Sequence, residues 1–151
     1  MARVRVPASA LLKMKTKIAH IQINVSDFEK SKKFYSELFG ILGWKKLSEF
    51  NESQKIISFT NLSEDFSFWI FETEKKFEEN KFHRKNTGLN HIAFRVNSKE
   101  EVDEFFNTFL KTKKENVLYK GPREYPEYVK GDYAVFFEYP DRIKLKVVYH
   151  P

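Results

Sequence analysis

The sequence predicts an α+β fold of two βαβββ modules, on three observations. It matches itself without a gap at an offset of 71 residues, a period-two strand opens each copy, and a helical stripe follows each strand. Laying Ala19–Phe39 over Asn90–Leu110 pairs His20 with His91, Ile21 with Ile92, Ile23 with Phe94 and Val25 with Val96. Further along, Ser26 meets Asn97, Glu29 meets Glu100, Phe34 meets Phe105, Tyr35 meets Phe106 and Phe39 meets Leu110. One such coincidence carries little weight; a run of them in register marks a duplicated unit.

Each element has a local reason. Ile21, Ile23 and Val25 alternate with Gln22 and Asn24, as in a strand with one packed face. Ser26 with Glu29, and Asn97 with Glu100, place a capping side chain and an acid three residues apart, where a helix starts. Phe28, Ser31, Phe34, Tyr35, Leu38 and Phe39 make one helical stripe; Val102, Phe105, Phe106, Phe109 and Leu110 make the other. Strand-like runs follow at 44–50, 55–60 and 66–72, and again at 115–120, 133–138 and 143–149. Asn-Glu-Ser, Ser-Glu-Asp, Gly-Pro and Tyr-Pro-Asp supply turns between them. The expected organisation is therefore a first module at 17–72, a charged linker at 73–89 and a second module at 90–149. Residues 1–13 carry three cations and no acid and stand outside this pattern, so they are expected to be a disordered or appended extension.

Composition narrows the function classes. The 151 residues hold 16 Phe, 7 Tyr and 2 Trp, which points to an aromatic core or a ring-lined pocket. Without cysteine there is no disulfide framework and no thiolate metal site. Half of the net charge of +6 sits in residues 1–13, and elsewhere Lys and Glu alternate, so a nucleic-acid partner is disfavoured. No apolar run is long enough to cross a membrane as a helix, and the N-terminal stretch is a poor signal peptide. The expected location is the cytoplasm. There is no nucleophile elbow, no phosphate-binding Gly-rich loop and no HExxH.

Two strand–helix openings that each carry a His, then PREYPEY and FFEYPDRIKLKVVY near the end, resemble the vicinal oxygen chelate superfamily of glyoxalases, bleomycin-resistance proteins and extradiol dioxygenases. The resemblance spans 17–149. Its most specific piece is the turn Tyr139-Pro140-Asp141-Arg142, which resembles the family's Asp-Pro-Asp-Gly turn with its first and last residues replaced.

The resemblance implies a cupped mixed sheet from the two modules around a small-molecule cavity, and commonly a homodimer. With Ile21, Ile23 and Val25 under the helix, His20, Gln22 and Asn24 are expected to face the cavity, and His91, Ala93 and Arg95 to face it from the second module. Converging imidazoles begin a Zn, Ni, Mn or Fe site, at which an open position polarises a substrate oxygen. Relatives add carboxylates, at positions matched here to Ile70 and Lys146. An ammonium at Lys146 repels a divalent cation, which weakens the metal reading. Glu72 or Glu138 could be recruited as replacement ligand and catalytic acid or base.

Arg95 and Lys146, with Gln22, Phe68 and Phe136, are the candidate ligand-binding residues, and two cations among them suggest an anion. Ala134-Val135-Phe136-Phe137 lacks the tyrosine that ring-cleaving relatives carry on that strand, which argues against catechol cleavage. Two functions follow: a glyoxalase-related protein binding a small anionic or oxygenated molecule, with metal-assisted lyase or isomerase chemistry, and a metal-free ligand-sequestering protein of the bleomycin-resistance type.

Overall fold

A computed structural model describes residues 15–151; the expected N-terminal extension lies outside the described residues. The elements are β1 (His20–Val25), α1 (Phe28–Ile41), β2 (Lys45–Asn51), β3 (Lys55–Asn61), β4 (Phe66–Glu72), β5 (Ile92–Val96), α2 (Lys99–Phe105), β6 (Val117–Glu124), β7 (Tyr133–Glu138) and β8 (Lys144–Tyr149). They form two four-stranded sheets of identical topology, β1-β4-β3-β2 and β5-β8-β7-β6. In each the first strand pairs parallel with the last, and the remaining pairs are antiparallel. The βαβββ order read from the repeat is therefore the order observed.

Both helix starts are displaced by one residue from the expected caps. Asp27 accepts from the Lys30 N–H at 3.0 Å, and Ser98 accepts from the Glu101 N–H at 3.1 Å. Ser26 instead bonds Asp141 of the Tyr-Pro-Asp turn through its hydroxyl and its backbone N–H, so one module grips the other at this point. Arg142, where the family turn has Gly, adopts φ +58, the left-handed backbone that Gly takes without strain.

The second helical stripe continues past α2 as a π-helical turn, Phe106–Leu110. Within it the Thr108 hydroxyl bonds the Glu104 carbonyl at 2.7 Å, and the Lys111 N–H reaches back to the Phe106 carbonyl at 2.8 Å. The widened turn lets Phe105, Phe109 and Leu110 all reach the core.

That core is shared by the two modules. Phe34 of α1 touches Phe109 and Phe137 of the second module, with ring centroids 5.4 and 6.4 Å away. Phe39 and Trp44 both meet Phe94 of β5, at 5.8 and 5.9 Å. Ile23, Ile57, Phe68 and Ile70 from the first sheet and Phe94, Val135, Leu145 and Val147 from the second join the same cluster. The layers therefore run sheet, helices, sheet, and the other face of each sheet points away from the core.

Phe39 has no solvent exposure and contacts five aromatic rings of both modules. Phe39→Ala is expected to cost about 3–5 kcal/mol, read from the denaturant midpoint of unfolding. The Tyr35 hydroxyl is buried with no hydrogen-bond partner, so Tyr35→Phe is expected to leave stability unchanged or raise it by up to about 1 kcal/mol in the same measurement.

Candidate functional site: a basic, ring-lined sheet face

Strand register decides which side chains share the outward faces. On the first sheet His20 lies opposite Ser67, Gln22 opposite Trp69 and Asn24 opposite Phe71. This corrects the expected register of β4. Phe68 and Ile70 oppose Ile21 and Ile23 and are fully buried in the core, away from the His20 face. Glu72 shares their side of the strand, opposite Val25, and lies 3.8 Å from Lys55. Period two is the reason: residues of even number on β4 face inward, so the residue level with Gln22 is Trp69. Gln22 does lie on the outward face, exposed, as does His20.

The second sheet carries more chemistry. Ala93 lies opposite Lys146 and Arg95 opposite Val148, and Phe136 lies opposite Lys146 on β8's other side. Lys144 and Lys146, two apart on one strand, thus share one face with Phe136, His91 and Arg95. Both lysines are buried, at 7% and 5% exposure, and neither has an ion-pair partner among the described residues.

Rings surround them instead. Lys146 Nζ lies 5.1 Å from the Phe136 centroid, 5.1 Å from Tyr128 and 5.9 Å from Tyr125. Lys144 Nζ lies 4.5 Å from Phe136 and donates to the Tyr119 hydroxyl at 3.0 Å.

Tyr119 reaches Lys144 because β6 is broken. The register shifts between Leu118 and Arg123, and Tyr119, Lys120 and Gly121 all have positive φ, at +57, +68 and +102. A bulge of this kind re-aims a side chain at the cost of backbone strain. Only Gly121 takes that conformation freely; a Cβ there would also sit 3.6 Å from the Phe106 ring.

The electrostatics follow from this crowding. Burial, then the charges of Lys144 and Lys146, holds His91 below its ordinary value of 6.5. Burial lowers Lys146, opposed by Asp132 and aided by Lys144. The hydrogen bond from Lys144 lowers the Tyr119 phenol.

Glu138 also lies on this face, but Arg84 from the segment between the sheets bonds it, and Arg142 approaches it at 3.4 Å. It is held by guanidinium groups and is not the partner of Lys146. Arg95 donates to the His150 carbonyl at 3.3 Å. His150 itself bonds the buried Asp132 carboxylate at 2.6 Å.

Sequence reading singled out Lys146 but missed Lys144, although Lys-Leu-Lys at period two was the available signal. Nothing local announces Arg84, Tyr119 or the His150–Asp132 pair, since each depends on strand pairing or a bulge.

His20 and His91 each stand on the face of their own sheet that lies away from the shared aromatic core. Among the described residues no three His, Asp or Glu side chains gather as a metal would require. The donor set does not fit a metal centre: the residue level with His20 is Ser67, and the strand beside His91 carries the buried ammonium groups of Lys144 and Lys146. Two hollows are present, about 520 Å³ beneath the connecting segment, beside Asn24, Phe77 and Ile143, and about 1060 Å³ along β5, beside Trp44, Phe105 and the candidate Arg95. Within the single chain Tyr125 and Tyr128 cover Lys146, and Lys144, Lys146 and Phe136 all lie buried on this face.

The glyoxalase/bleomycin resistance protein/dioxygenase superfamily model matches residues 17–147. The chain belongs to this superfamily. It is 39% identical over 132 residues to the uncharacterized protein YqjT of Bacillus subtilis (strain 168), covering 85% of this chain and 95% of that one. It superposes on the crystal structure of a Bacillus halodurans protein assigned as a glyoxalase, with TM-score 0.75 and 35% identity over 88% of this chain and 95% of the other. The fold is shared with FosX, a fosfomycin resistance protein of Listeria monocytogenes. A variant of it, solved with Mn(II) and 1S,2S-dihydroxypropylphosphonic acid, matches at TM-score 0.62 and 20% identity, covering 91% and 95% of the two chains.

An NMR titration of His91 is expected to give a midpoint below 6.5, rising in Lys146→Met. The folded chain holds this proton less tightly than the unfolded one. The residue's contribution to stability is therefore fully present above the unfolded value and is lost as pH falls below it.

Proposed function

We propose that this superfamily member binds a small anionic, oxygenated molecule against the second sheet, with the first sheet of a second copy closing the cavity. The observation that carries this is the pair of buried ammonium groups, Lys144 and Lys146, neither with an ion-pair partner among the described residues, while Glu138, level with Lys144, is engaged by Arg84 and Arg142. Taking a charge out of water is costly unless it is paired, and rings compensate only part of that cost. An anion entering this face gains two charge-assisted hydrogen bonds, the Tyr119 hydroxyl and the nearby His91. Arg95 and Arg84 stand at the margins of the same face. Phe136 forms the apolar floor.

The homodimer is supported by what the chain leaves uncovered. Trp69 and Phe71 are only half-buried on the outward face of the first sheet, Phe50 is 49% exposed, and β1 and β5 are both open edges. Pairing two copies edge to edge would bring His20 of one copy toward His91 of its partner and enclose the lysines. The phosphonate diol bound by FosX is a small oxygenated anion of the class this face suits.

The protein is read as binding its ligand through ammonium groups rather than through a metal, because Lys146 stands where relatives place a carboxylate. The metal-assisted lyase or isomerase reading rests on His20 and His91 alone.

Methylphosphonate and oxalate are expected to raise the melting temperature in proportion to their concentration, without added metal, and less so at high salt. Lys144→Met and Lys146→Met are each expected to weaken binding by about tenfold or more. Stabilisation that requires Zn, Ni, Mn or Fe and disappears in His91→Ala would instead establish the metal-assisted reading. Sedimentation is expected to give twice the chain mass; a monomer at micromolar concentration would remove the inter-subunit cavity.

A further inference from the structure

The two lysines of this face are not equivalent. Lys144 is engaged, donating to the Tyr119 hydroxyl. Among the described residues Lys146 meets the rings of Tyr125, Tyr128 and Phe136 and has no ion-pair partner. Asp132, whose charge acts on Lys146, is 1% exposed and already bonds His150 Nδ1.

A primary amine that is desolvated, unpaired and beside a second ammonium is the arrangement that makes lysine a nucleophile toward carbonyl carbon. We infer that Lys146 forms an imine with a small α-oxo acid or related carbonyl compound whose anionic group is held by Lys144. This rests on the reading of the face as a ligand site and names the chemistry of that ligand.

The geometry supports the division of labour. Both amines lie over one ring, Phe136, at 4.5 and 5.1 Å, so one small molecule reaches both. An α-oxo acid places its carboxylate and its carbonyl carbon on adjacent atoms. Lys144 and Tyr119 would hold the first and present the second to Lys146 Nζ.

The amine lone pair adds to the carbonyl carbon, the C=O π pair moves to oxygen, and a carbinolamine results. The nitrogen then gives up its two protons, the oxygen leaves as water and C=N replaces C=O. No oxidant or reductant takes part. His91, whose ring meets Phe136 at 5.6 Å, is the imidazole placed to carry the protons.

The cation–π contacts favour the ammonium, whereas burial and the Lys144 charge favour the neutral amine; the balance lies on the side of the amine being easier to deprotonate than a surface lysine. Tyr128, whose ring lies 5.1 Å from Lys146 Nζ, is 61% exposed.

The test is reductive trapping. The whole chain is incubated near neutral pH with glyoxylate and cyanoborohydride, and the carboxymethylated lysines are located by peptide mass mapping. Lys146 is expected to be modified about tenfold or more faster than exposed lysines such as Lys33 and Lys111. Lys146→Arg cannot form the imine, so it is expected to lose that adduct while still melting cooperatively.

Modification spread over surface lysines, or none at Lys146, overturns the inference. If oxalate still stabilises the protein in that case, the binding reading stands and only the imine falls. If oxalate has no effect either, both fall.

Discussion

Everything outward in this molecule depends on the aromatic packing between its two sheets. Phe34 and Phe39 of α1 do not merely cover their own sheet; they interlock with Phe94, Phe109 and Phe137 of the other module. One interior therefore takes a face from each sheet, and a smaller cluster of Tyr125, Ala134, Phe136 and Val148 covers part of the second sheet's other face. The first sheet's outward face is left for solvent, ligand or another chain. Fully buried Phe side chains each contribute about 1.5–3 kcal/mol over leaving them exposed, so this assignment of faces is not easily reversed.

The same constraint explains what could be read in the sequence and what could not. The duplication, the strand periodicity and the helical stripes are local, and they were sufficient for the βαβββ order and for placing His20, His91, Arg95 and Lys146 on outward faces. The error on β4 came from choosing the wrong parity for a strand that is aromatic on both sides: Phe66-Ser-Phe-Trp-Ile-Phe offers no polar alternation to show which face is buried. The capping shift by one residue arose because Ser26 had a better partner, Asp141, more than a hundred positions away. Tyr119 was invisible for a similar reason, since its aim is set by three left-handed residues that a periodic reading cannot anticipate.

Whether the two histidines converge is decided at a different level. Symmetry of sequence predicts symmetry of position, but not whether two equivalent faces turn toward or away from each other. Here the interlocked helices turn them away, and the question of a shared cavity passes from the chain to its assembly. The chemistry has diverged between copies as well. The face of the first sheet carries Ser67 and Trp69 where the second carries Lys144 and Lys146, so the duplicated unit has become one half that supplies shape and one that supplies charge.

The placement of α1 has an energetic consequence. In the homodimer proposed above each chain would contribute a different face to each of two cavities, with its aromatic core between them. A ligand that tightened the second sheet would then act, through Phe94 and Phe137, on the helix packed against the first sheet of the same chain. Any such linkage would be reciprocal: whatever the first occupant did to the affinity of the second, the second would do equally to the first.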